Sequence, residues 1–144
     1  MHPRISVVTL GVANMERAVA FYRDGLGLPH RDDKPPVAYF ELAGTWLALY
    51  PRDALARFAG VAPDGEGFSG VTLSHNVDER EEVDALMARA LGAGARVVKA
   101  PRRFQWGGYG GWFADPDGHL WEVVWNPHWQ LTETGELILP DAHC

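Results

Sequence analysis

Apolar residues along the chain fall into two successive stretches that repeat the same order of periods. Residues 5–12, Ile5-Ser6-Val7-Val8-Thr9-Leu10-Gly11-Val12, are rich in β-branched side chains and predict a strand. Asn14 offers a helix cap, and Met15, Ala18, Val19, Tyr22 and Leu26 recur at three- and four-residue spacing on one helical face, ended by Gly25 and Gly27. A polar stretch with Pro35-Pro36 leads to short strands at 37–42 and 46–50 around a turn at Gly44. Residues 51–67, with glycines and prolines in their second half, read as a linker. The order then restarts. A strand is predicted at 68–77, and Asp78 with Glu81 forms a capping-box signature. Val83, Leu86, Met87, Ala90 and Leu91 make a second helical stripe closed by Gly92 and Gly94. Strands follow at 96–100, 112–114 and 120–125, the last two split by the turn Asp115-Pro116-Asp117-Gly118.

The pattern β-α-β-β-β thus occurs twice, which predicts an α+β fold of duplicated half-domains. Module one spans about 4–50, the linker 51–67, module two about 68–126 and a C-terminal tail 127–144, all within one domain. One such module leaves a sheet with an open edge and a bare face. Two modules sharing a curved mixed sheet, a cup with the helices outside, satisfy both.

Composition narrows the function classes. A 47% apolar and 22% charged chain is that of an ordinary folded domain. The net charge of −6, with no basic cluster large enough to neutralise a phosphate backbone, argues against a nucleic-acid partner. No apolar run approaches the roughly 20 residues that span a bilayer, so no membrane partner is expected. Met1-His2-Pro3-Arg4 leads straight into a strand-like segment without a signal-peptide pattern, so a cytoplasmic protein is expected. The single cysteine, Cys144, allows neither an intrachain disulfide nor a thiolate metal cluster.

Residues 9–14, Thr9-Leu10-Gly11-Val12-Ala13-Asn14, followed by Ala18-Val19-Ala20-Phe21-Tyr22 and Leu26-Gly27-Leu28, resemble the opening of glyoxalase/bleomycin-resistance proteins, the vicinal-oxygen-chelate superfamily. Phe113-Ala114-Asp115-Pro116-Asp117-Gly118-His119-Leu120-Trp121-Glu122 resembles their closing strand pair, and the likeness covers about residues 4–126. Such a resemblance implies a divalent metal held by His, Glu or Gln from the first and last strand of each module, acting as a Lewis acid. Carried onto this chain residue by residue, only Glu122 matches. The other positions fall on Val7, Val71 and either Leu47 or Leu49, all aliphatic. No cofactor is therefore expected. If a divalent metal is bound at all, Glu122 and His75, which shares strand parity with Val71 and Leu73, are its candidate ligands.

Six tryptophans in 144 residues supply what else could fill the cup. In Gln105-Trp106-Gly107-Gly108-Tyr109-Gly110-Gly111-Trp112-Phe113 aromatics alternate with glycines, so the rings either line a pocket or pack over the glycines as core. Trp106, Tyr109, Tyr50, His75 and Asn126 are the candidate ligand-binding residues, and Glu122, for which Arg103 is a candidate basic partner, is the candidate catalytic general base or ligand anchor. Trp121 and Trp125 should face away from Glu122, under the helices. Leu137-Ile138-Leu139 in the tail either folds back over the cup or packs on a second copy, in keeping with the homodimers that the resemblance implies. The expected function is metal-independent binding or sequestration of a small organic ligand. The alternative is a lyase, isomerase or dioxygenase-like enzyme with Glu122 as base or metal ligand.

Overall fold

The computed structural model describes residues 1–31 and 35–138. Leu139 and Cys144, singled out above, lie outside them. The fold is α+β, with two compact units, Met1–Val71 and Thr72–Cys144.

In the first unit, β1 (Val7–Val12) runs parallel to β3 (Trp46–Pro51), which pairs antiparallel with β2 (Ala38–Phe40), giving the order β1-β3-β2. Asn14 caps helix α1 (Met15–Val19), its side-chain oxygen accepting from the Arg17 N–H at 3.0 Å. The helix widens into a π-helical stretch over Ala20–Gly25. The wider turn holds two consecutive buried rings, Phe21 and Tyr22, edge to face at 4.9 Å. Leu10, Val12, Phe40, Leu47 and Leu49 complete this core, each fully buried aromatic or aliphatic side chain contributing roughly 1.5–3 kcal/mol. The fourth strand expected of the module shrinks to a single bridge, His30 with Phe40, flanked by bonds from Arg31 N to Tyr39 O and from Glu41 N to Pro29 O.

The stretch expected to be a linker begins with helix α2, Arg52–Ala59, which Gly60 ends in the left-handed conformation at φ 78°. Asp53-Ala54-Leu55-Ala56-Arg57 is good helix-forming sequence, and the glycines and prolines that suggested a loop all lie at or beyond residue 60.

The second unit holds a complete module. β4 (Leu73–Asn76), α3 (Arg80–Gly92), β5 (Arg96–Arg103), β6 (Tyr109–Ala114) and β7 (Leu120–Trp125) build a sheet of order β4-β7-β6-β5. Only β4 with β7 is parallel. The capping box does not form: α3 starts one residue later than Asp78 would need, with Glu79 at the cap and no side-chain cap bond. Val83, Met87 and Ala90 are the buried stripe of α3, whereas Leu91 points to solvent. Past β7 the tail forms a small ribbon, β8 (Gln130–Leu131) with β9 (Leu137–Ile138), whose Leu137 and Ile138 are exposed. Among the described residues no helix is long and apolar enough to cross a membrane.

Candidate functional site

Alternation along the strands sorts the second sheet's side chains onto two faces. Tyr109 opposite Trp125, Gly111 opposite Val123 and Phe113 opposite Trp121 share one face, with Leu73 and His75 beside Trp121 and Val123. Helix α3 covers this face: the Tyr109 hydroxyl donates to Asp84 Oδ1 at 2.8 Å, and the Arg80 guanidinium lies 4.3 Å from the Tyr109 ring centre. The opposite face carries Ser74, Asn76, Gly110, Trp112, Glu122 and Val124.

Glu122 sits in the middle of β7 on that second face, half-buried. The Ser74 hydroxyl donates to its Oε1 at 3.0 Å. On its other flank Trp112 lies directly opposite, and beyond Trp112, on β5, lies Lys99. Lys99, Trp112, Glu122 and Ser74 thus form one transverse row, with an aromatic ring between a cation and an oriented carboxylate.

The β5–β6 hairpin adds aromatic surface beside the row. Its tip is closed by Phe104 N–H donating to Gly108 O at 2.8 Å. A Cβ on Gly110 would meet the Phe104 ring at 3.0 Å and the Val123 carbonyl oxygen at 2.8 Å, so only glycine lets the ring lie on the strand. Trp106 folds back over Gly108 and stacks on Phe104, with centroids 5.4 Å apart and planes 25° apart, while half its surface stays exposed. The Arg102 guanidinium lies 5.8 Å from the Phe104 ring on the same side.

These registers place the expected site residues on different faces. Tyr109 pairs with Trp125 on the α3 face, away from Glu122, and its hydroxyl donates to Asp84. His75 lies on that face too, one residue out of phase with Ser74, so His75 and Glu122 point to opposite sides of the sheet and form no ligand pair. His75 keeps an exposed edge, but partial desolvation beside α3 lowers its pKa below the ordinary histidine value, a shift that the Glu82 carboxylate on α3 opposes. Arg103 is opposite Tyr109 on the α3 face, whereas its neighbour Arg102 joins Lys99 on the Glu122 face. Asn126 follows Val124 in parity, but its side-chain oxygen accepts from the His128 N–H at 2.9 Å and shapes a turn. Tyr50 lies in the first unit opposite Gly11, on the face away from α1. Leu47 and Leu49, at 2% and 0% exposure, are core beneath α1. Counted back from the strand–helix junction, the first-unit equivalent of the Ser74–Glu122 pair is Thr9 with Ala48. The same count makes Thr72, not Val71, the equivalent of Val7.

The sequence reading passed over Ser74, Trp112, Lys99 and Arg102 as site residues. A signal for Trp112 was present, since the Asp115–Gly118 turn fixes the hairpin register. Asp115 N–H donates to His119 O, and the Asp115 carboxylate accepts from Asp117 N–H and His119 N–H at 2.9 and 2.8 Å. That closure sets Trp112 opposite Glu122.

A catalytic divalent metal needs three or more His or carboxylate donors at about 2.0–2.2 Å. Among the described residues no group of three or more His, Cys, Asp and Glu is placed to hold an ion. Beside Glu122 stand a hydroxyl and an indole, and the first-strand positions are Val7 and Thr72. The residues present do not fit the superfamily's metal.

Comparison with known proteins agrees with this architecture. The chain is 32% identical over 120 residues to a protein named metallothiol transferase FosB from Shouchella clausii, covering 83% of this chain and 77% of that protein. It superposes on a glyoxalase-related enzyme from Fulvimarina pelagi with a TM-score of 0.89 at 32% identity, over 96% of this chain and 99% of that one. A lactoylglutathione lyase from Agrobacterium tumefaciens shares the fold, with a TM-score of 0.67 at 24% identity over 88% and 96% of the two chains. The family model of the Glyoxalase/Bleomycin resistance protein/Dioxygenase superfamily matches residues 4–123, and the chain belongs to that superfamily.

Proposed function

We propose that this chain is a metal-independent small-molecule-binding protein that holds an organic ligand on the Glu122 face of its second sheet. One observation carries the reading: the carboxylate of Glu122 is oriented by a serine hydroxyl and flanked by a tryptophan, where a metal would require further donors. Ser74 occupies Oε1, which leaves Oε2 as an acceptor for a ligand hydroxyl or ammonium. Trp112 and the stacked Phe104–Trp106 pair supply apolar and π surface for the rest of the ligand. The protein acts in the cytoplasm as a homodimer, with neither nucleic acid nor membrane as partner.

The likeness to a protein named metallothiol transferase favours a second reading, an enzyme in which Glu122 is a base or a metal ligand. The donor set described above speaks against its metal-dependent form.

A thermal-shift screen of aromatic compounds on the wild type and on Glu122→Gln tests the proposal, because a ligand that binds only the folded state raises its melting temperature. The glutamine keeps the side chain's shape and an acceptor for Ser74. Ligand-dependent rises that vanish in Glu122→Gln are expected, together with no turnover of the hemithioacetal of methylglyoxal and glutathione. Turnover of that substrate, or rises unaffected by Glu122→Gln, would overturn the reading.

A further inference from the structure

Three cations on β5, spaced every third residue, end up on one side of the sheet. In a regular strand residues 96, 99 and 102 would alternate between faces. Here the β5–β6 register slips once between Val97 and Lys99 and again between Lys99 and Arg102. Each slip restores the phase, as a bulge does. Arg96 therefore lies opposite Ala114, Lys99 opposite Trp112 and Arg102 opposite Gly110. Ala114, Trp112 and Gly110 are the β6 residues of the Glu122 face. A chain of net charge −6 thus lines one edge of that face with three basic side chains. Among the described residues none of the three has an ion-pair partner, although Arg102 lies against the Phe104 ring.

We propose that the ligand is an aromatic carboxylate carrying a hydrogen-bond donor at its far end; this rests on the Glu122 face being the binding surface. Lys99 and Arg102 bind the carboxylate, the ring lies against Trp112, and the donor reaches Glu122. Lys99 and Glu122 stand two strand spacings apart, about 10 Å. With both side chains leaning inward, a ring substituted at opposite ends bridges them. The orientation is fixed by charge, because Glu122 repels the anionic end and the β5 edge attracts it.

Tryptophan-fluorescence and calorimetric titrations of the full chain at low salt test this with 4-hydroxybenzoate, phenol and tyramine. These probes keep the ring and the hydroxyl while changing the far end from anion to nothing to cation. Tests run on the wild type, on the double variant Lys99→Gln/Arg102→Gln and on Glu122→Gln. The exposed β5 side chains carry no core packing, so the double variant should melt like the wild type. 4-Hydroxybenzoate is expected to bind roughly tenfold or more tightly than phenol or tyramine, as charge-assisted bonds do, and to lose that advantage in the double variant. Tyramine or phenol binding as well as 4-hydroxybenzoate, or a preference that survives in the double variant, would overturn the inference. If such binding is still lost in Glu122→Gln, the Glu122 face stands as the site and only the anion assignment falls. Absence of binding by all three at millimolar concentration overturns the inference, while the Glu122 face as a binding surface is judged by the thermal-shift comparison of the wild type with Glu122→Gln.

Discussion

Asp115 shows how a residue that marks the family can owe its place to folding rather than to chemistry. The residue is buried, at 4% exposure, and its carboxylate accepts two backbone N–H bonds that close the turn into β7. Asp115→Ala leaves those donors unpaired and is expected to cost roughly 1–3 kcal/mol in urea unfolding, without a new ligand preference. His75 makes the complementary case. Its folded pKa is depressed, so the unfolded chain binds the proton more tightly. The stability that neutral His75 provides is complete above its unfolded value of about 6.5 and is lost as pH falls toward the lower folded value. Urea midpoints measured between about pH 7 and pH 5 should fall less steeply in His75→Gln than in the wild type. An unchanged slope would assign the acid sensitivity elsewhere.

Among the elements, the β5–β6 hairpin concentrates the determinants of the site. Glycine at 110 is required because a Cβ there meets a carbonyl oxygen and the Phe104 ring. Gly110→Ala is therefore expected to destabilise by about 1–3 kcal/mol through overpacking, and to displace the Phe104–Trp106 stack from the Glu122 face. A red-shifted tryptophan emission would report that displacement. On the other face, Tyr109→Phe removes one hydrogen bond to α3 and should cost about 0.5–1.5 kcal/mol while leaving ligand binding intact. Much of this element was legible in the sequence. Aromatics interleaved with glycines pointed to rings that either line a pocket or lie over the glycines, and the Asp115–Gly118 turn marked where β6 returns as β7. The faces were not legible throughout. Alternation fails at the two slips in β5, so nothing in the residue types placed Arg96, Lys99 and Arg102 together. Tyr109 and Trp106, three residues apart in one motif, part company because Trp106 belongs to the turn and Tyr109 to the strand. In the first unit the reading left the β3 position open between Leu47 and Leu49, which are two residues apart and so share one face, and that face is the core.

At the scale of the molecule, the duplicated pattern made the α+β fold readable, and the superfamily match over residues 4–123 accords with it. The α2 helix and the reduced fourth strand of the first unit escaped that reading, because both lie next to segments dominated by proline, glycine and charge. The acid of the candidate site belongs to one half alone. The first unit has Ala48 where the second has Glu122, so the acid is present once. A lone carboxylate with a serine partner is suited to holding an organic ligand's donor group, whereas a metal bound there would be held against water by too few groups. The decisive measurement is the divalent-metal content of tag-free protein, determined by elemental analysis on the wild type and on Glu122→Ala. The account predicts less than stoichiometric metal in both, even after incubation with Zn²⁺, Ni²⁺ or Fe²⁺ and desalting. One metal ion per chain in the wild type, lost in Glu122→Ala, would contradict it.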